Sequence, residues 1–124
     1  MDLHRLNEHI KALLKKHIGV LKVSKENDTL LEVCGTIETM QGKKKVDGIY
    51  FASVMPKPKD VRFYYFPIYT HKDHFPDLSP ALSKMLKGKS CFHLKKVDAV
   101  LLAELNDMIQ LGITLYQKDG MLST

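Results

Sequence analysis

Four residues with metal-binding side chains lie within one short stretch of the chain: His71, Asp73, His74 and Asp77. Imidazole and carboxylate groups suit iron or zinc, and a loop can fold several such donors around one ion. The spacing matches no common metal-binding motif, however, and Lys72 places a positive charge within the stretch. Asp77 also lies near the start of a predicted helix, whose dipole favours negative charge. An ordinary solvated loop is therefore the favoured interpretation, and these four residues are the expected ligands of any metal that does bind specifically.

A second pair, Cys91 and His93, lies two residues apart in a short apolar segment that predicts a strand. Alternate residues of a strand point to the same face, so the two side chains are expected on one face, together with Lys89 and Lys95. A thiol beside a base can act as a nucleophile if its pKa is lowered. Free cysteine is nevertheless among the most buried residue types. We therefore expect a packing role for Cys91, as for Cys34, and assign no catalytic residue, with a Cys91–His93 pair as the weaker alternative.

Aromatic residues cluster at positions 63–66, next to Arg62. Aromatic rings and basic side chains together form the base-stacking surfaces of some RNA-binding sheets. Adjacent strand residues alternate between faces, so at most half of these rings could face a ligand, and packing explains the others. Nucleic acid is therefore a disfavoured partner. The sequence also lacks the glycine-rich nucleotide loops, the serine-hydrolase elbow and the zinc-protease motif, so it does not indicate these common enzyme classes.

The composition is typical of one ordinary globular domain. The chain has 124 residues, of which 44 % are hydrophobic and 27 % charged, and we expect residues 1–124 to form a single domain. The first residues lack the pattern of a secretory signal, and no long apolar run predicts a membrane span. Reduced cysteines and a cytoplasmic location are the corresponding expectations. The net charge of +5 raises affinity for acidic surfaces in general without specifying a partner.

Hydrophobic spacing predicts seven elements in the order α-β-β-β-α-β-α. The first helix begins near Leu3 and ends near Gly19, residues 20–24 are ambiguous, and residues 25–28 predict a turn. Three strands joined by short turns then predict an antiparallel meander, at residues 30–39, 46–55 and 61–69.

The second half of the chain adds two helices and one strand. Residues 70–78 are predicted to form a polar loop. Ser79 is the expected N-cap of a short helix that ends at Gly88, and residues 90–94 predict the fourth strand. Asp98 is the expected N-cap of the last helix, which ends before Gly120.

The long first and last helices each carry one apolar stripe, which predicts that both pack on one face of a mostly antiparallel sheet in an α+β fold. The expected buried positions are Leu6, Ile10, Leu13, Leu101, Leu105, Met108, Ile109, Gly112, Leu115 and Tyr116.

Four segments form a recognisable set: residues 48–54 (GIYFASV), 63–70 (FYYFPIYT), 86–96 (LKGKSCFHLKK) and 111–116 (LGITLY). Together they resemble the bacterial YdhG-like family, a group of small domains of unknown function, over residues 46–120. The resemblance implies a frataxin-like two-layer sandwich with the element order given above. One member of the wider family is regarded as a frataxin-like iron chaperone, so the resemblance also implies transient iron binding.

The expected function is that of a small binding or accessory domain that presents its sheet and loops to a protein or a small ligand. The alternative implied by the resemblance is an iron chaperone, with iron or zinc as its metal. An enzyme that uses Cys91 and His93 is less favoured. We expect no resident cofactor and no membrane partner, and association into a homodimer stays open.

Overall fold

The chain begins and ends with a long helix, and eight strands lie between them. The computed structural model describes residues 2–124. Its helices are α1 (Leu3–Lys15), α2 (Pro67–Thr70), α3 (Pro80–Met85) and α4 (Ala99–Lys118), with a 3₁₀ turn at Lys72–His74. Its strands are β1 (Leu21–Asn27), β2 (Leu30–Gly35), β3 (Thr39–Gln41), β4 (Lys44–Val46), β5 (Tyr50–Pro56), β6 (Val61–Tyr65), β7 (Leu86–Lys87) and β8 (Cys91–Leu94).

Six of the strands form one antiparallel sheet, in the order β1-β2-β5-β6-β8-β7. The remaining two, β3 and β4, pair with each other as a separate hairpin. Helix α1 packs against β5 and β6 of the sheet. The α+β class and the antiparallel meander of β2, β5 and β6 are therefore confirmed. No helix in residues 2–124 is long and apolar enough to cross a membrane.

Capping residues and apolar stripes explain the two long helices. The Asp2 carboxylate accepts a hydrogen bond from the Arg5 backbone N–H at 2.8 Å, and Asp98 does the same for Leu101 at 2.9 Å. Gly120 follows α4 with a φ of 74°, a conformation that glycine adopts without strain. Every stripe residue predicted to be buried is buried.

A β-bulge explains why two consecutive residues of β5, Phe51 and Ala52, are both fully buried. Val33 pairs with Ala52 but Cys34 pairs with Tyr50, so Phe51 is an extra residue in the ladder. The bulge lets the Phe51 ring enter the core, where it lies edge-on to Tyr65 at 5.6 Å. Tyr50 then lies beside Ser53, and the two hydroxyl oxygens are 2.6 Å apart. The predicted single strand over residues 46–55 is wrong at its start, because β5 begins only at Tyr50.

The N-terminal half differs from the sequence prediction at three further places. The first helix ends at Lys15 rather than near Gly19. Strand β1 (Leu21–Asn27) covers most of the ambiguous residues 20–24 and three of the four residues, 25–28, predicted to form a turn. Six of the seven residues of β1 are exposed, which leaves no apolar alternation to detect. The predicted strand at 30–39 ends at Gly35, and the turn at Gly42 joins the short β3–β4 hairpin.

The middle of the chain also differs from the sequence prediction. The predicted strand at 61–69 ends at Tyr65, because Pro67 starts helix α2 instead of occupying a sheet edge. The short helix does begin at its Ser79 cap, but it ends at Met85. Residues Leu86–Lys87 then pair with β8, and Gly88, with a φ of 72°, makes the turn between the two strands.

Candidate functional site

His71 is held at both of its ring nitrogens. Its Nδ1 lies 2.8 Å from Thr70 Oγ1, and its Nε2 lies 2.6 Å from Asp119 Oδ2. Thr70 Oγ1 is also 2.7 Å from the Tyr116 hydroxyl oxygen. Because Tyr116 and Asp119 lie at the C-terminal end of α4, this network ties the segment after β6 to the last helix. A metal ion at His71 would have to replace Thr70 or Asp119.

The other predicted metal ligands are not gathered around His71. Asp73, His74 and Asp77 are all exposed, and the rings of His71 and His74 have centroids 6.1 Å apart. Across residues 2–124, no group of three or more histidine, cysteine, aspartate or glutamate side chains is placed to hold a metal. The metal site at these four residues stays a prediction that the described arrangement does not support.

Cys91 is buried, although its strand position gives it the face opposite to the core residue Phe92. Burial raises the pKa of the Cys91 thiol, and the Tyr64 hydrogen bond and the charge of Arg62 oppose this only in part. His93, on the same face, lies with its Nδ1 3.7 Å from Asp60 Oδ2. No hydrogen bond joins Cys91 to His93 within the described chain. The arrangement favours packing over nucleophilic catalysis for Cys91.

We expect slow alkylation of Cys91 in the folded protein. Because its pKa is raised, the thiol carries less thiolate at neutral pH than a free cysteine does. In a Cys34→Ala variant, iodoacetamide at pH 7 should modify native Cys91 at least about tenfold more slowly than in urea-unfolded protein. The native rate should still be rising at pH 9. Modification faster than in the unfolded chain, and suppressed by His93→Ala, would restore the enzyme interpretation.

Asp60 is a buried carboxylate that the sequence assigns only to a turn. Its Oδ1 accepts a hydrogen bond from Arg62 Nε at 2.8 Å, and only 5 % of the residue is exposed. Asp60 thus holds Arg62 by a hydrogen bond, and His93 Nδ1 lies near its other oxygen, Oδ2, at 3.7 Å. The proximity of Asp60 and Arg62 in sequence is the only signal that could have revealed this contact.

A depression of about 500 Å³ lies beside the 66–78 segment. We call it the apolar pocket. Its walls include four apolar side chains: Ile68, Phe75, Leu78 and Leu86. Tyr69, Lys72 and Lys89 add an aromatic ring and two ammonium groups, and no acidic side chain of residues 2–124 lines it.

Local packing builds the apolar pocket from three separated segments. Phe75 is held edge-on to the buried Tyr65 ring at 5.8 Å, which fixes the loop after β6. Leu86 comes from the short edge strand β7, and the Gly88 turn carries Lys89 back over Tyr69. The Lys89 ammonium lies 5.4 Å from the centre of that ring, within cation–π range.

The sequence prediction misses this pocket because it treats residues 70–78 as a polar loop. Phe75 and Leu78 are the signal that was available, since large apolar side chains in a loop need a surface to pack on. The convergence of Leu86 and Lys89 on the same place depends on the β7–β8 pairing, which no local pattern indicates.

Comparison with known proteins does not identify the chain: no family model, curated protein or solved structure matches it. The resemblance to the YdhG-like family therefore stays a prediction from the sequence. Any functional assignment has to come from the chemistry of the sites described above.

Proposed function

We propose that this protein is a small-molecule binding domain, that the apolar pocket is its binding site, and that its ligand has a flat apolar body and a carboxylate group. The observation that carries the proposal is the combination of apolar walls with two lysine side chains and no acidic side chain of residues 2–124 in one depression. Ligand pockets in proteins commonly have this form, with mostly apolar walls and a few polar groups that orient the ligand.

The size and the aromatic wall suit a compact, planar ligand. The volume of about 500 Å³ lies within the range of about 300–1,000 Å³ that small-molecule sites occupy. Tyr69 is half exposed, stacks on Phe66 with ring centroids 5.9 Å apart and has the Lys89 ammonium over its ring. A planar ligand group would therefore contact the exposed part of the Tyr69 ring or take the place of Lys89.

The charge of the pocket favours an anion. No carboxylate in residues 2–124 lies within 4.0 Å of the Lys72 or Lys89 ammonium groups. A ligand carboxylate would therefore meet two lysines that have no carboxylate partner within the described chain, although the Lys89 ammonium also contacts the Tyr69 ring. Both lysines are exposed, so each contact adds only about 0.2–1 kcal/mol, and the two together account for a moderate preference for an anion.

The test compares two probes of the same shape, 2-naphthoate and the neutral 2-naphthalenemethanol, by NMR titration. We expect 2-naphthoate to shift the backbone signals of residues 68–69, 75, 78, 86 and 88–89. A Lys72→Ala, Lys89→Ala variant should bind 2-naphthoate about tenfold more weakly, equivalent to about 1.4 kcal/mol, and 2-naphthalenemethanol almost as before. Lys118→Ala, at the exposed end of α4, controls for net charge.

Two results would contradict the proposal. One is that neither probe shifts these signals at millimolar concentration. The other is that Lys118→Ala weakens 2-naphthoate as much as the pocket variant does, which would reveal an effect of net charge alone.

The YdhG-like resemblance and its two-layer sandwich are retained as part of the proposal. Contacts of α4 with sheet residues support a position beside α1, because Phe51 and Tyr65 lie against Tyr116 and Met108. The iron-chaperone alternative has less support from α1. The carboxylates there are already engaged, Asp2 with the Arg5 backbone and Glu8 with Lys11 at 3.9 Å. A basic helix repels a ferrous cation.

A further inference from the structure

A second depression, separate from the apolar pocket, lies on the other side of strand β7. Its volume is about 530 Å³. Four lysines line it, and we call it the lysine cleft after them: Lys84, Lys87, Lys95 and Lys96. Ala81, Met85, His93 and Asp60 complete its walls.

The fold brings these lysines together from three places in the chain. Lys84 comes from α3, Lys87 from the edge strand β7, and Lys95 and Lys96 from the segment that follows β8. Side chains alternate along a strand, so Leu86 lines the apolar pocket whereas Lys87 lines the lysine cleft. The two depressions therefore have no lining residue in common.

The positive charge of the lysine cleft is not neutralised by the protein. None of the four ammonium groups has a carboxylate within 4.0 Å anywhere in residues 2–124. The only acidic residue in the wall is Asp60, which is buried and already bonded to Arg62 Nε at 2.8 Å. The four lysine charges repel one another, so an anion of high charge gains attraction from all of them.

We propose that the lysine cleft binds a small phosphate-bearing molecule, specifically one with two linked phosphates. A diphosphate offers several negatively charged oxygens to several ammonium groups at once, which a single carboxylate cannot do. Lysine suits such a ligand because it binds phosphate as a point charge and needs no planar partner. The apolar side chains of Met85 and Ala81 provide a wall for the rest of the ligand.

The test is an isothermal titration calorimetry experiment in which pyrophosphate is added to the protein at low salt. The unmodified protein should bind one pyrophosphate, and more tightly than inorganic phosphate. A Lys87→Gln, Lys95→Gln variant should bind it at least about tenfold more weakly. The matched control is Lys43→Gln, Lys44→Gln on the exposed β3–β4 hairpin, which removes the same charge at residues that do not line the cleft. Its affinity for pyrophosphate should stay within about twofold of that of the unmodified protein.

Further variants and a further probe distinguish binding at the lysine cleft from binding elsewhere on the protein. Lys72→Ala, Lys89→Ala, the apolar-pocket variant, should keep its affinity for pyrophosphate, so the two sites can fail independently. Equal loss in the cleft variant and the hairpin control would overturn the proposal, as would tighter binding of a single-stranded oligouridylate than of pyrophosphate. Urea unfolding of each variant shows whether the substitutions leave the fold intact. If Lys87→Gln, Lys95→Gln is destabilised, the single variant Lys96→Gln provides the comparison.

Discussion

Replacing Gly112 with alanine should lower the free energy of unfolding by about 2–3 kcal/mol. In an exposed helix the same change usually stabilises by about 1 kcal/mol, because alanine is the better helix former. Here the added methyl group would overlap the Tyr65 hydroxyl and press on the Pro67 ring. Both neighbours are buried, and the Tyr65 hydroxyl donates a hydrogen bond to the Met108 carbonyl oxygen at 2.5 Å. The overlap therefore cannot be relieved without moving α4.

A double-mutant cycle with Tyr65→Phe identifies the cause. Tyr65→Phe alone should cost about 1–2 kcal/mol, because the Met108 carbonyl loses a partner. In the Gly112→Ala, Tyr65→Phe protein the closest overlapping atom is gone, so the combined loss should be clearly smaller than the sum of the two single losses. Urea unfolding monitored by circular dichroism provides all four values. Additive losses, or a Gly112→Ala protein as stable as the original, would show that α4 does not approach Tyr65 this closely.

The two long helices are predictable from the sequence because both kinds of signal agree. Leu6, Ile10, Leu105 and Ile109 recur at helical spacing, and aspartate caps stand before each helix. Such information is local, so no tertiary contact is needed to interpret it. The same holds for the Ser79 cap of α3.

Strand β1 shows why part of the sheet is not predictable. Only Leu21 is buried among its residues, so neither face carries a hydrophobic pattern. Its strand conformation depends on pairing with β2, which is a long-range property. The bulge at Phe51 is not predictable for a related reason. One extra residue inverts the alternation that assigns side chains to the two faces of the sheet.

The candidate sites also combine features that the sequence predicts with features that depend on long-range contacts. Strand alternation correctly predicts that Cys91 and His93 share a face, but it carries no information about the burial of the Cys91 thiol. The apolar pocket and the lysine cleft each depend on where β7 pairs. That strand has only two residues, too few for any periodic signal, although it assigns Leu86 to one depression and Lys87 to the other.

Replacing Leu105 with alanine should lower the free energy of unfolding by about 2–5 kcal/mol. Leu105 is fully buried in the core that α1, α4 and the sheet share, so the truncated side chain leaves a cavity in addition to the lost apolar burial. The wide range reflects how far the surrounding core side chains can relax into the space. The change should appear as a lower urea midpoint with an unchanged slope, which is typical of a native state that keeps its overall structure.

Leu111 provides a matched control on the same helix, because it is 38 % exposed. Leu111→Ala deletes the same atoms with a similar effect on helix propensity, so its loss should stay at about 1 kcal/mol or less. The difference between the two variants therefore isolates burial from composition. Equal losses at both positions, or a loss below about 0.5 kcal/mol at Leu105, would mean that α4 presents a different face to the core.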